Sequence, residues 1–197
     1  MLHTSLIETV GDTPLVEISE VSPRTSVRIY AKLEGQNPTG SVKDRIAQYM
    51  VADAERQGHL KTGQRILEPT SGNTGISLAL IGRLRGYPVT VVMPDAVSSE
   101  RIELLTALGA DIIYSPGELG TNGSVAMARE IGLQHPDWFM PFQYENDANP
   151  RAHYDTTGPE IIEDLPHLDV FVAGLGTGGT LTGVGRRLKE HNSAVRV

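Results

Sequence analysis

The chain has 197 residues, of which 39% are hydrophobic and 21% are charged, a formal net charge of -7 and no cysteine. The acidic balance argues against nucleic acid as a partner, and the lack of cysteine excludes disulfides, thiolate catalysis and cysteine-ligated metals. No apolar run approaches the ~20 residues that a membrane span needs, and no signal-peptide pattern opens the chain. A soluble cytoplasmic protein without membrane or nucleic-acid partners is therefore expected.

Strands and helices are predicted to alternate along most of the chain. The predicted strands are Leu15–Ile18, Arg28–Leu33, Arg65–Glu68, Val89–Met93, Asp111–Tyr114, Trp138–Phe142, Asp169–Ala173 and Ala194–Val197. The predicted helices are one that follows Ser41, then Ile76–Leu84, Ser99–Leu108, Ser124–Ile131, Pro159–Leu165 and Leu181–His191. This order predicts βαβ units, in which a parallel sheet is covered by helices and binds ligands in the loops at the carboxyl ends of its strands.

The first of three unusual loops is Asn37-Pro-Thr-Gly-Ser-Val-Lys-Asp-Arg45. Ser41 and Asp44 have the Ser-x-x-acid spacing of a helix N-cap, so Lys43 is predicted to lie in the first helical turn. The helix dipole disfavours an ammonium ion there and lowers its pKa, and the resulting free amine is the form that makes a Schiff base. A surface lysine that extends into water is the alternative.

The second loop, Thr70-Ser-Gly-Asn-Thr-Gly75, lies where a predicted strand leads into a predicted helix. The loop offers Ser and Thr hydroxyls, an Asn amide and several backbone N–H groups at a helix N-terminus. Such groups are suited to bind a carboxylate or a phosphate. A capped turn without a ligand is the alternative, although a cap needs a single Ser, Thr or Asn. The loop is therefore predicted to bind an anion.

The third loop, Gly174-Leu-Gly-Thr-Gly-Gly-Thr180, also lies between a predicted strand and a predicted helix. Its glycines let the backbone approach a phosphate closely. The same glycines fit the dinucleotide pattern Gly-x-Gly-x-x-Gly, so a nicotinamide or flavin enzyme is an alternative, as is a turn without a ligand. The histidines show no metal-ligand spacing, and His153 is expected to be structural.

Taken together, the three loops resemble the cysteine synthase family, whose members are pyridoxal-phosphate (PLP) enzymes with the tryptophan-synthase-β-like fold (fold type II). The resemblance extends from Gly11-Asp-Thr-Pro-Leu15 to the end of the chain. Phe171 to Leu181, and His153 ahead of Thr156-Thr-Gly-Pro-Glu160, look closest to the B-type branch. That branch includes O-phosphoserine sulfhydrylases that take sulfur from a thiocarboxylated carrier protein.

The resemblance implies an α/β fold with two domains, a larger PLP-binding domain formed by residues 1–40 and 146–197 and a smaller α/β domain formed by 41–145. It implies that Lys43 carries pyridoxal 5'-phosphate as a Schiff base and later acts as the base. Asn73 would hydrogen-bond the 3′ oxygen of the cofactor. The residues implied to bind its phosphate are Gly176, Thr177, Gly178, Gly179 and Thr180. Those implied to bind the carboxylate of the amino acid are Thr70, Ser71, Thr74 and Gln143. No metal is implied.

The activity implied by the resemblance is a transferase reaction that makes L-cysteine from O-acetylserine or O-phosphoserine and either sulfide or a carrier-protein thiocarboxylate. A homodimer is implied as the assembly. The alternatives are a cystathionine β-synthase, a serine or threonine dehydratase, and an inactive fragment that keeps the fold. A nicotinamide dehydrogenase would leave Lys43 and the loop at 70–75 unexplained. Because the family continues well beyond this length, the chain is expected to be a fragment whose last strand exposes apolar surface and unpaired backbone.

Overall fold

A computed structural model of the chain describes residues 2–70 and 72–197. Two compact units are formed, one by the residues up to Arg45 together with Asn149–Val197, the other by Ile46–Ala148. The predicted domain division, 1–40 with 146–197 and 41–145, has its limits near those of the two units and stays a prediction.

Helices and strands alternate from Lys43 to Gln134, as predicted, whereas two strands precede this part without an α-helix between them and only helices follow it. The strands are β1 (Leu15–Glu17), β2 (Tyr30–Lys32), β3 (Ile66–Pro69), β4 (Val89–Pro94) and β5 (Asp111–Ser115). The helices are α1 (Lys43–Gln57), α2 (Asn73–Arg85), α3 (Ser99–Ala107), α4 (Gly120–Gln134), α5 (Ala148–Ala152), α6 (Gly158–Asp164) and α7 (Gly179–His191). A π-helical turn, His153–Thr157, joins α5 to α6. The predicted α/β class is confirmed.

The second unit is built on a parallel sheet with the order β3-β4-β5. Every residue of β3 and β4 is buried, as expected for parallel strands covered on both faces. Leu67 and Val92 pack with Ala128 of α4 on one face. On the other face α2 lies so close that a Cβ on Gly75 would be 3.2 Å from Val91. The loop that follows β3 therefore lies at the carboxyl edge of a covered sheet, where parallel sheets bind ligands.

In the first unit β1 and β2 form an antiparallel pair. The helices α6 and α7 supply Ile161, Val184 and Leu188 to a buried apolar cluster. Within the described ranges, no helix is long and apolar enough to cross a bilayer.

Three of the predicted strands are wrong, because these segments form only single β-bridges. Trp138–Phe142 contributes a single bridge, from Phe139 to Ile66, and the segments 169–173 and 194–197 contribute another, from Val170 to Arg196. Apolar side chains near the second bridge are exposed, with Val172 at 83% and Leu175 at 79%. One bridge fixes the direction of a segment but leaves most of its backbone groups outside a ladder.

Candidate functional site

Lys43 is the first residue of α1. Its N–H donates to the Ser41 hydroxyl at 3.2 Å, so Ser41 satisfies an N–H of the first turn as predicted. The Asp44 carboxylate accepts from the N–H and the hydroxyl of Thr39. Burial lowers the pKa of Lys43, and no carboxylate of the described residues forms an ion pair with it. The lowered pKa expected from the sequence is present, and burial is its cause in the structure.

The start of α1 is fixed by a network of partly buried charged groups around the buried Arg45. The Arg45 Nε lies 2.7 Å from Glu34 Oε2, and its Nη1 lies 2.6 Å from Glu160 Oε1. Lys32 Nζ lies 2.7 Å from Glu160 Oε2. Burial alone would raise the pKa of Glu160, but the hydrogen bonds from Arg45 and Lys32 outweigh it and lower the pKa to about 2. The network holds the backbone two residues after Lys43 in one position. No local pattern in the sequence predicts this network, because its partners are far apart in the chain.

The predicted anion loop of the second unit joins β3 to α2. Thr70 follows β3 and its hydroxyl accepts the Gly72 N–H at 3.2 Å. Thr74, in the first turn of α2, donates its hydroxyl to Gln143 Oε1 at 2.7 Å, and both side chains are buried. Asn73 begins α2 and is exposed. A hydrogen bond therefore connects two residues predicted to bind a carboxylate, Thr74 and Gln143. A third predicted residue, Ser71, lies outside the described residues.

The glycine-rich loop of the first unit leads directly into α7. Gly178 has a positive φ of 84°, a conformation that glycine adopts without strain. A Cβ on Gly179 would lie 1.9 Å from Asn149 Oδ1. Thr177 Oγ1 accepts from Asn149 Nδ2 at 2.9 Å and from the Gly179 N–H at 3.4 Å. The loop is thus shaped by glycines and held by Asn149, a residue to which the sequence analysis assigned no role.

His153 contacts the last residue of this loop. The ring is buried, with Nδ1 3.0 Å from Thr157 Oγ1 and Nε2 3.2 Å from Thr180 Oγ1. Burial, and next the positive charge of Arg45, lower the pKa of His153 to about 4, so the ring is neutral at neutral pH. The expected structural histidine therefore holds a side chain predicted to bind phosphate. No local spacing could reveal the contact, which spans 27 residues and depends on the π-helical turn.

The residues of the first unit fit the two functional groups of PLP, its phosphate and its aldehyde. Gly174 and Gly176 have no atom within 4 Å of the position where a Cβ would be, and the loop precedes a 13-residue helix without an acidic residue in its first turn. Open backbone at the positive end of a helix suits a phosphate dianion. Lys43 presents an amine with a lowered pKa, which suits an aldehyde. The part of the chain that the structure describes contains no group of three metal-ligating side chains.

Proteins related to the chain identify its family. A family model described as pyridoxal-phosphate dependent enzyme matches residues 6–197. A protein of Bacillus subtilis described as a probable cysteine synthase is 50% identical over 185 residues, which are 92% of this chain and 60% of that protein. A cysteine synthase of Staphylococcus aureus is 44% identical over 195 residues, 98% of this chain and 63% of that protein. The chain thus spans less than two thirds of the length of these curated relatives.

Solved structures give the same result. The crystal structure of an O-ureido-L-serine synthase has a TM-score of 0.96 and 44% identity, with 100% of this chain and 62% of that chain covered. That of an O-acetylserine dependent cystathionine β-synthase from Helicobacter pylori has a TM-score of 0.95 and 40% identity, with 100% and 65% covered. The family described as PLP-dependent is matched over almost the whole chain. We conclude that this chain belongs to the pyridoxal-phosphate dependent enzyme family, as its three loops predicted.

Proposed function

We propose that the chain is the part of a cysteine synthase that holds PLP and the amino-acid substrate. The reaction replaces the acetate or phosphate on the β-carbon of O-acetylserine or O-phosphoserine with sulfur and yields L-cysteine. Lys43 carries this proposal, because a half-buried amine with a lowered pKa and no carboxylate partner among the described residues is suited to a Schiff base. The curated relatives described as cysteine synthases support the choice of reaction.

In this proposal the first unit supplies the groups that hold the cofactor. Lys43 Nζ would hold its aldehyde carbon, and Gly176 with Thr177 to Thr180 would hold its phosphate. The support is the open glycine backbone at the N-terminus of α7. Neutral His153 orients the Thr180 hydroxyl without adding charge. When bound, PLP supplies the electron sink for the carbon that loses a proton.

The second unit supplies the groups that hold the amino acid. Thr70, Thr74 and Gln143, together with Ser71, bind its carboxylate, and Asn73 binds the 3′ oxygen of PLP. The hydrogen bond between Thr74 and Gln143 supports a shared role for these two residues. Once the amino group of the substrate has replaced Lys43 at the aldehyde, Lys43 Nζ would be a free amine, and its lowered pKa would favour the basic form that takes the proton from the α-carbon.

A cytoplasmic homodimer is proposed for the whole protein. The sulfur donor is proposed to be sulfide or the thiocarboxylate of a small carrier protein. A cystathionine β-synthase is the second candidate, because one solved relative with 40% identity carries that name and uses O-acetylserine. The two candidates differ in the nucleophile, which is a sulfide or thiocarboxylate sulfur in the first and the thiol of homocysteine in the second.

An activity assay with purified, PLP-loaded protein tests the proposal. O-Acetyl-L-serine and O-phospho-L-serine are each supplied in turn with one of three sulfur nucleophiles: sulfide, a thiocarboxylated carrier protein or homocysteine. From at least one of the two serine derivatives we expect free L-cysteine when sulfide is the donor, or cysteine still attached to the carrier's acyl group when the thiocarboxylate is the donor, and no product from Lys43→Ala. Formation of cystathionine without cysteine would favour the second candidate. A PLP-loaded protein that consumes neither serine derivative would contradict both candidates.

A further inference from the structure

Glu68 is a fully buried carboxyl group to which the proposed reaction gives no role. It lies in β3, two residues before Thr70, and its relative exposure is 0%. Each of its oxygens accepts one backbone N–H, Oε2 from Phe142 at 2.8 Å and Oε1 from Gln143 at 3.1 Å. Burying a carboxyl group is costly, so two hydrogen bonds to consecutive residues of a distant segment indicate a specific purpose.

The segment that Glu68 holds has an unusual backbone. Phe142 has a positive φ of 50°, which is uncommon for a bulky residue and strained in the absence of support. Consecutive N–H groups in such a turn point to the same side and form a concave anion site. Here the Glu68 carboxyl group occupies this position. The backbone just before this turn is paired with β3, because the Leu67 N–H donates to the Phe139 carbonyl at 2.8 Å.

The held residue, Gln143, is one of those proposed to bind the carboxylate of the amino acid. Its backbone N–H binds Glu68, and its side-chain Oε1 accepts the Thr74 hydroxyl at 2.7 Å. Thr74 belongs to the loop-and-helix segment that begins directly after the strand of Glu68. A single carboxyl group therefore ties the 142–143 turn to β3, the strand that leads into Thr70 and Thr74, two further residues proposed to bind the carboxylate.

We propose that Glu68 is a positioning residue for substrate binding, which fixes Gln143 against Thr74 so that this part of the chain recognises the carboxylate of an α-amino acid. The inference rests on the proposed function, because it assigns the same residues to the amino-acid carboxylate. Glu68 contacts neither the substrate nor the reacting atoms in this account. It acts through the backbone of Phe142 and Gln143.

The charge state of Glu68 offers a way to observe the contact directly. Burial raises the pKa of Glu68 to about 7, although the hydrogen bonds from Gln143 and Phe142 lower it in part. Tyr144 is a titratable group that interacts with it, and burial followed by the charge of Glu68 raises the pKa of that phenol. Between pH 5 and 9 the backbone amides at 142 and 143 should therefore report the ionisation of one carboxyl group.

The test compares the PLP-loaded wild type with Glu68→Gln. Glutamine keeps the shape of the side chain but turns an NH₂ group toward one of the two N–H donors, so one buried donor loses its acceptor. Dissociation constants are measured from the cofactor absorbance for L-serine and for ethanolamine, which share an amine and a hydroxyl and differ by the carboxylate. Ile66→Val, in the same buried strand, is the matched control.

We expect Glu68→Gln to weaken L-serine binding about tenfold and to leave ethanolamine binding unchanged, with both constants unchanged in Ile66→Val. Equal weakening of both ligands, or no change for L-serine, would overturn the inference. A wild type that binds PLP but shows no saturable response to L-serine would instead contradict the proposed function and remove the basis of the inference.

A second measurement needs neither a variant nor a ligand. The amide signals of Phe142 and Gln143 in the wild type are followed by NMR while the pH is raised from 5 to 9. We expect both signals to move with one shared midpoint near 7, because ionisation of Glu68 strengthens both hydrogen bonds. Signals that titrate with two different midpoints would show that the two amides do not share one carboxyl group and would overturn the inference.

Discussion

Arg45 and Glu160 form a bidentate ion pair, in which Arg45 Nη1 lies 2.6 Å from Glu160 Oε1 and Arg45 Nη2 lies 2.7 Å from Glu160 Oε2. The two residues are 115 positions apart in the sequence, and the pair joins the first turn of α1 to α6. Because Lys43 is two residues from Arg45, the pair also restricts where the proposed Schiff-base lysine can lie. Glu34 binds the same guanidinium group, so the charge of Arg45 is fully matched.

Removal of one partner should therefore be costly. We expect Glu160→Gln to lower the free energy of unfolding by about 3 kcal/mol, since Lys32 loses its carboxylate partner and buried Arg45 keeps only Glu34. Urea unfolding monitored by circular dichroism measures the loss. The control is Glu190→Gln, which removes the exposed partner of Arg186 and should leave the unfolding midpoint almost unchanged. Equal losses in the two variants would contradict a special role for the buried pair.

The same pair predicts a dependence of stability on pH. The pKa of Glu160 is about 2 in the folded chain, against a reference value of 4.5, so the unfolded chain binds a proton first as the pH falls. The stability contributed by Glu160 is therefore complete above pH 4.5 and is lost progressively toward pH 2. Unfolding curves between pH 6 and pH 2 should show the difference between wild type and Glu160→Gln shrinking across this window. A difference that stays constant would refute the assignment.

Gly179 and Gly176 offer a matched pair of substitutions in the glycine-rich loop. Gly179→Ala places a Cβ 1.9 Å from Asn149 Oδ1, whereas Gly176→Ala meets no atom within 4 Å. We expect Gly179→Ala to destabilise the chain by about 1–3 kcal/mol through overpacking. Gly176→Ala should have little effect on stability but should weaken PLP binding, because its methyl group occupies space proposed for the phosphate. Thermal unfolding and PLP titration separate the two effects. Unaltered PLP binding in Gly176→Ala would argue against a phosphate at this loop.

Most of the helices and the buried strands could be predicted from the sequence because their signals are local. The apolar residues of Val89–Met93, for example, indicate a covered strand by themselves, and β4 occupies Val89–Pro94. The segments 138–142 and 169–173 have similar compositions but form only single bridges. Whether such a segment forms a strand depends on its neighbours in the sheet, which local composition does not specify.

In the predicted site, too, local features could be predicted from the sequence and long-range contacts could not. The three loops were recognisable because their glycines, hydroxyls and lysine lie close together in the sequence. The residues that support them were not, since His153, Asn149 and Glu68 act across distances of 27, 28 and at least 74 residues. The burial of Lys43 could not be predicted either, because the residue spacing within its own loop does not indicate which residues cover it.

Two substitutions of His153 test its contact with the phosphate loop. Asparagine places a polar group near the Nδ1 position and can keep the contact with Thr157, whereas glutamine reaches farther, toward the Nε2 position and Thr180. We expect His153→Asn to weaken PLP binding by about three- to tenfold, the cost of one hydrogen bond, and His153→Gln to weaken it less. Fluorescence titration with PLP measures both constants. The opposite order would indicate that Thr157, not Thr180, is the partner that matters.

The most direct test of the central claim locates the lysine that PLP modifies. The folded protein is incubated with PLP, its visible absorbance is recorded, the Schiff base is reduced with borohydride, and the modified peptide is identified by mass spectrometry. We expect a visible absorbance band and a reduced adduct on Lys43, with no adduct on Lys32, Lys61 or Lys189, and no band in Lys43→Ala. An adduct on another lysine, or a folded protein that forms no adduct, would contradict the claim that Lys43 is the cofactor-binding residue.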